Sequence, residues 1–333
     1  MCNFPLSSKM IKYSKSENDN FQLNKEVKSY WIGMCDKERI TLRDSLNKPV
    51  IDWVLPGLPV GSVGAIVGPG GVGKSFLSIA IAAVIGCGFE MGGNMFKSKN
   101  KGKVVIFFGE DPKEIVQDRL HSFRNILNND EIELFDVNVK IVSGHGIMCQ
   151  LMGLHGNYGE FYDVFLEAAK GARLLILDPF SRLHGADEND NSAMTRMLQI
   201  LESISKKTGA SILVIHHTGK MATSNFNGEM KNQSASRGAS ALSSGLRWQV
   251  NMWIPNKKEL SYFGVKEIES KFFVKISLVK ANYTRLIDDQ WMQRGNNGVL
   301  QYVKLDHDKK NIIFCENEME VSDAISDEKY YFD

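Results

Sequence analysis

The chain has 333 residues, 43% hydrophobic and 24% charged, with 40 basic against 39 acidic side chains, which admits one large domain or two ordinary ones around a substantial core. So even a charge balance offers no global electrostatic case for nucleic acid, and any such contact must come from local loops. The longest apolar run, from about Phe76 to Ile85, is about half of the ~20 residues a membrane-spanning helix needs. Without a signal-peptide pattern, and with Cys2, Cys35, Cys87, Cys149 and Cys315 in no zinc or disulfide spacing, a reducing cytoplasmic setting away from membranes is expected.

Residues 1–50 read as a polar N-terminal arm, partly disordered, with no apolar period in SKSENDN at 14–20. From Ile51 onward short apolar runs alternate with amphipathic stretches, the pattern of a mostly parallel sheet with crossover helices. Strands are expected at 63–67, 104–108, 139–142, 174–177 and 212–215. A helix starting at Lys74 should run to about Val84 and stop at Gly86 and Gly88. Another, 192–209, gathers Met194, Met197, Leu198, Leu201 and Ile204 on one face, with Lys206 and Lys207 in its last turn and Gly209 as its stop. Beyond it, 246–254, 272–281 and 291–303 are β-rich, with Asn296-Asn297-Gly298 as a turn. The expected fold is therefore α/β over 51–306, with a C-terminal antiparallel extension of the same sheet. An acidic tail, 307–333, reads as solvated, with a partner-docking segment as the alternative.

The chemistry begins at Gly68-Pro69-Gly70-Gly71-Val72-Gly73-Lys74-Ser75, which satisfies G-x-x-x-x-G-K-[ST] after an apolar run. Glycines let successive backbone N–H groups wrap an anion, and the next helix adds the positive end of its dipole. Lys74 then reaches the β- and γ-phosphates, and Ser75 is placed to hold Mg²⁺. Hydrolysis needs more than a phosphate loop. Asp178 ends the run 174–177, where its carboxylate emerges at the carboxyl edge of the sheet to bind Mg²⁺. Glu110 or Asp111 ends 104–108 in the same way. Asp111-Pro112 has the form of a helix start, which leaves Glu110 as the better general base, against the bland alternative that both acids only open a helix. His216 and His217 end 212–215; neighbouring strand residues face opposite sides, so one of them at most faces a nucleotide. The polar stretch 218–237, with Lys220, Lys231 and Arg237, reads either as a DNA-backbone loop or as an ordinary surface loop. Arg247 and Lys280 sit among apolar strand residues and need a partner, either a phosphate on a neighbouring copy or an internal acid.

Taken in order, VLPGLPVGSVGAIVGPGGVGKS, GEDP at 109–112, RLLILDPFSRLH at 173–184, VIHHTGK at 214–220, SASRGAS at 234–240, LRWQ at 246–249 and KANY at 280–283 resemble the RepA family of plasmid replicative helicases, in the DnaB/RecA-like branch of the P-loop ATPases, over about residues 52–303. The resemblance implies a RecA-like core that forms a hexameric ring, hydrolyses ATP with Mg²⁺ at subunit interfaces and moves on single-stranded DNA to unwind duplex. It implies Lys74 on phosphate, Ser75 and Asp178 on Mg²⁺, Glu110 as catalytic carboxylate and His217 as γ-phosphate sensor. Arg247 matches an arginine finger given to the adjacent copy, an element worth roughly 10³–10⁵ in turnover, and Lys280 resembles a strand lysine that reaches across the same interface. Implied partners are single-stranded DNA, further copies of the chain and a protein that loads the ring at an origin. A RecA-like recombinase or loader, and a nucleotide-binding regulator without motor activity, stand as alternatives.

Overall fold

The computed structural model describes residues 25–153, 156–217, 240–295, 297–306 and 311–314. These belong to two compact units that divide after Val50. In the first, helix α1 (Lys25–Lys37) precedes a 3₁₀ turn (Leu42–Leu46), whose entry is fixed by Thr41: both its N–H and its hydroxyl donate to the Asp44 carboxylate, at 2.7 and 2.8 Å. The arm expected to be polar and partly disordered thus contains regular structure, which weak apolar patterning concealed. The run 14–20 lies outside the described residues.

In the second unit, β1 (Trp53–Leu55) and β2 (Leu58–Pro59) make a small hairpin. The main sheet is built from β3 (Val63–Gly68), β4 (Val104–Phe108), β5 (Val139–Ser143), β6 (Leu174–Asp178), β7 (Ser211–His217), β8 (Trp248–Trp253), β9 (Phe273–Ala281), β10 (Gln290–Arg294), β11 (Leu300–Asp306) and β12 (Asn311–Phe314). Its order is β12-β11-β10-β9-β8-β3-β7-β6-β4-β5. From β8 to β5 the pairing is parallel, and from β8 to β12 antiparallel. The antiparallel strands therefore extend the same sheet, as expected, but β12 carries it into the segment 307–333 expected to be a solvated tail, because Ile312 and Ile313 lie in a run that pairs with β11.

Parallel strands read as unbroken apolar runs because both faces are covered. Alternate residues feed two cores. Ile66, Ile106 and Ile176 pack with α2 (Lys74–Gly86), α3 (Lys113–Arg124) and α4 (Asn129–Asn138). Val67, Phe107 and Leu177 face the other way, toward α5 (Tyr162–Ala169) and α6 (Asn191–Thr208). The helix α6 shows why its pattern was readable: Met194, Met197, Leu198, Leu201 and Ile204 are all buried, Asp190 accepts from the Ser192 N–H at 2.8 Å, and Gly209 closes the helix at φ +77°. Two short helices, α7 (Ser240–Gly245) and α8 (Lys257–Tyr262), flank β8. Three indoles belong to the antiparallel strands. Trp248 is fully buried and donates to the Pro56 carbonyl at 3.0 Å, while the Lys275 ammonium lies 5.7 and 5.1 Å from the ring centres of Trp253 and Trp291.

Candidate nucleotide site

The parallel pairing brings four strand ends to one edge. Gly68 of β3 is level with His217 of β7, and Phe108 of β4 with Asp178 of β6. Past these ends lies a cleft of about 280 Å³ whose lining includes Lys74, Ser75, Glu110, Asp178 and His217. Helix α2 starts at Lys74, directly after Gly73, whose φ of +100° is open to glycine and whose missing Cβ leaves room for Leu300 at 3.3 Å.

Lys74 is buried, and its ammonium donates to the carbonyls of Gly68 and Pro69 at 2.9 and 2.7 Å. Its Nζ is also 3.3 Å from Nδ1 of His217. Burial lowers the lysine to about 8, against the pull of the Asp178 and Glu110 carboxylates. Asp178, equally buried, accepts from the Ser75 hydroxyl at 2.8 Å; desolvation raises it to about 6, with Ser75 and Lys74 working in the opposite direction. A serine hydroxyl and a carboxylate joined in this way, beside a glycine-rich cradle, suit a hard divalent cation held by oxygen. The two residues expected on Mg²⁺ are therefore in contact.

The ambiguity between the histidines resolves by strand alternation. His217 faces the cleft, whereas His216 is buried, with the Phe180 ring edge-on at 5.5 Å. Glu110 stands in the cleft with a half-exposed carboxylate, one oxygen 3.0 Å from Nε of Arg182. The helix start assigned to Asp111 is corrected: Pro112 occupies the cap position of α3, and the Asp111 carboxylate is bonded by both terminal nitrogens of Arg119, at 2.5 and 2.9 Å. A guanidinium fork outcompetes the backbone N–H groups for a carboxylate.

Arg247 and Lys280 lie elsewhere. Arg247 is exposed and immediately precedes β8; its N–H donates to the carbonyl of Val63, at the start of β3 and thus at the far end from the phosphate loop. Lys280 donates to the carbonyls of Ser243 and Ser244 at 2.8 Å each, so backbone at the end of α7 serves it instead of an acid. Burial and the nearby Arg247 charge lower its pKa. The three expected DNA contacts, Lys220, Lys231 and Arg237, fall outside the described residues, as do the acidic tail from 315 and Asn296 of the proposed turn. Two cations of the cleft lining were not anticipated: Arg119, and Arg294 at the end of β10. Neither carries a local motif.

A family model described as an AAA domain matches residues 39–223. Among solved structures, a DnaB-like replicative helicase studied with its primase interactions is similar at TM-score 0.51 and 13% identity, covering 86% of this chain and 69% of that one. A KaiC-like protein from Pyrococcus horikoshii OT3 is similar at TM-score 0.47 and 14% identity, over 75% and 93% of the two chains, and the RadB recombinase at 0.45 and 14%, over 74% and 92%. At an identity this low the helicase match speaks to fold alone, a RecA-like α/β sheet. The family match spans more than half of the chain and contains the phosphate loop, the cleft carboxylates and His217, so this chain belongs to the AAA domain family of P-loop ATPases.

Proposed function

We propose that the protein hydrolyses ATP as part of a ring of six copies that moves along single-stranded DNA and unwinds duplex, in the replication of a plasmid or another mobile element, as RepA-family helicases do. The observation that carries this reading is the division of the chemistry between two ends of one sheet. Lys74, Ser75, Glu110, Asp178 and His217 share the cleft, while Arg247 sits level with Val63, five residues back along β3 from Gly68, or about 17 Å at strand spacing. That is beyond the reach of an arginine side chain. An arginine finger at this position therefore serves the cleft of another copy; a head-to-tail contact of that kind gives a ring when the rotation between copies closes and an open filament when it does not, and the ring is the form proposed.

Within the cleft, Lys74 would exchange its carbonyl partners for phosphate oxygens, joined by the N–H groups at the start of α2. Glu110, oriented by Arg182, takes the proton of the attacking water. A divalent cation on Ser75 and Asp178 would neutralise charge on the phosphates. His217 is the last described residue before 218–239, the stretch that contains Lys220, Lys231 and Arg237. Contact between His217 and the γ-phosphate would therefore bear directly on the proposed DNA loop, coupling hydrolysis to movement.

The test is steady-state ATP turnover against protein concentration, with and without single-stranded DNA, followed by strand displacement on forked duplexes. Turnover per chain should rise with concentration and with DNA. Concentration-independent turnover unaffected by DNA would favour the non-motor regulator and overturn the ring.

A further inference from the structure

The side of the cleft opposite the carboxylates is formed by the β10–β11 hairpin. Arg294 pairs with Leu300 across it, and the connection is closed by N–H bonds from Gly295 to Val299 and from Gly298 to Gly295, both 2.9 Å. The hairpin is seated on the phosphate loop and the first turn of α2. A Cβ on Gly298, at φ +85°, would come within 2.6 Å of the Phe76 ring, and one on Gly73 would stand 3.4 Å from Nη2 of Arg294. The approach at Gly298 is one that only glycine permits, and at Gly73 the guanidinium lies at van der Waals distance.

Arg294 itself is poorly matched by protein. Its Nη2 donates to the carbonyl of Gly71, inside the phosphate loop, at 2.8 Å. Its Nε is buried without a hydrogen-bond partner among the described residues, and none of their carboxylates pairs with the guanidinium. Burial depresses its pKa, yet an arginine keeps its charge at any ordinary pH. A half-buried cation answered by one neutral carbonyl is suited to a ligand with anionic oxygens, which accept stronger, charge-assisted bonds. The cleft it lines is the one that holds Lys74.

We propose that Arg294 is a second phosphate-binding cation of the nucleotide site, supplied by the same chain, and that a bound nucleoside triphosphate clamps the β10–β11 hairpin onto the phosphate loop. The inference rests on the nucleotide reading given above. It assigns a ligand-binding role to the antiparallel extension: β10 is hydrogen-bonded to β9 and β9 to β8, so the extension connects the phosphates to the strand that follows Arg247.

The experiment uses the full chain, a fluorescent ATP analogue with Mg²⁺, and the variants Arg294→Gln and Arg294→Lys. Glutamine removes the charge and, two bonds shorter than arginine, leaves the exposed Gly71 carbonyl to water, while the Gly295–Val299 and Gly298–Gly295 bonds still close the hairpin, so melting without nucleotide should change little. Arg294→Gln is expected to weaken ATP binding about tenfold and to flatten its salt dependence, whereas Arg294→Lys should recover part of both. Equal affinities for the two variants, or a glutamine variant that binds within about twofold of wild type, would overturn the proposal while leaving the nucleotide site intact. Failure of wild type itself to bind, with Lys74→Ala indistinguishable from it, would instead overturn the underlying reading and this inference together.

Discussion

The division of the catalytic parts between copies can be tested by complementation. Lys74→Ala removes the buried ammonium from the cradle but leaves Arg247 in place; Arg247→Ala leaves the cradle intact. Arg247 is exposed, so its loss should change stability by no more than about 0.5 kcal/mol and spare ATP binding, yet lower turnover by roughly 10³ or more. Each variant alone should be nearly inactive. When equal amounts are mixed before assembly, a productive interface needs an Arg247→Ala chain on the cradle side and a Lys74→Ala chain on the other. Each condition holds at half of the interfaces, so the mixture should recover about a quarter of wild-type turnover in a head-to-tail ring. Phosphate release at a total concentration above that needed for assembly reads the result. A mixture no more active than its two components, or an Arg247→Ala protein with normal turnover, would refute the shared site.

Glu110→Gln should bind ATP normally and lose about 10²-fold or more in single-turnover hydrolysis; an unchanged rate would remove Glu110 from the chemistry. Because Asp178, raised to about 6, must lose its proton to hold a cation, and Lys74, lowered to about 8, must keep its own to meet phosphate, kcat/KM should rise through the first value and fall through the second. In Ser75→Ala the hydrogen bond that holds Asp178 down is gone, so the acid limb of Mg²⁺-dependent nucleotide binding should move to higher pH; a shift the other way would contradict the assigned contact. Leu201→Ala, in the buried face of α6, should cost about 2–5 kcal/mol in urea unfolding, and a loss below about 1 kcal/mol would mean that the helix does not pack as described.

The parallel half of the sheet was legible because β3, β4, β6 and β7 are buried on both faces and so print as apolar runs ending in polar residues. Their ends, at Gly68, Phe108, Asp178 and His217, fell within two residues of the ends of those runs. The phosphate loop was legible for a different reason: its glycines and lysine are contiguous in sequence. Arg294 meets Gly71 from 223 residues away, through sheet order that no local pattern encodes, and it looked like an ordinary strand-end arginine. Asp111 was misread because Asp-Pro satisfies a capping rule, while the stronger partner, Arg119, waited two turns into the helix. In α1 the apolar residues Trp31 and Ile32 are exposed, so the segment lacks the buried stripe by which helices are recognised.

The distribution of aromatic chromophores across the sheet bears on how unfolding would be seen. Of the five tryptophans, Trp31 lies in α1 and Trp53 in the small hairpin, while Trp248, Trp253 and Trp291 are buried in β8 and β10; β4 through β7 and the helices that cover them have none. Three of the five indoles therefore report on the antiparallel margin, whereas the strands that carry Asp178 and His217 hold none of their own. If the two margins come apart at different denaturant concentrations, fluorescence and circular dichroism will trace separate curves, and their offset will measure how far one continuous sheet behaves as one cooperative body.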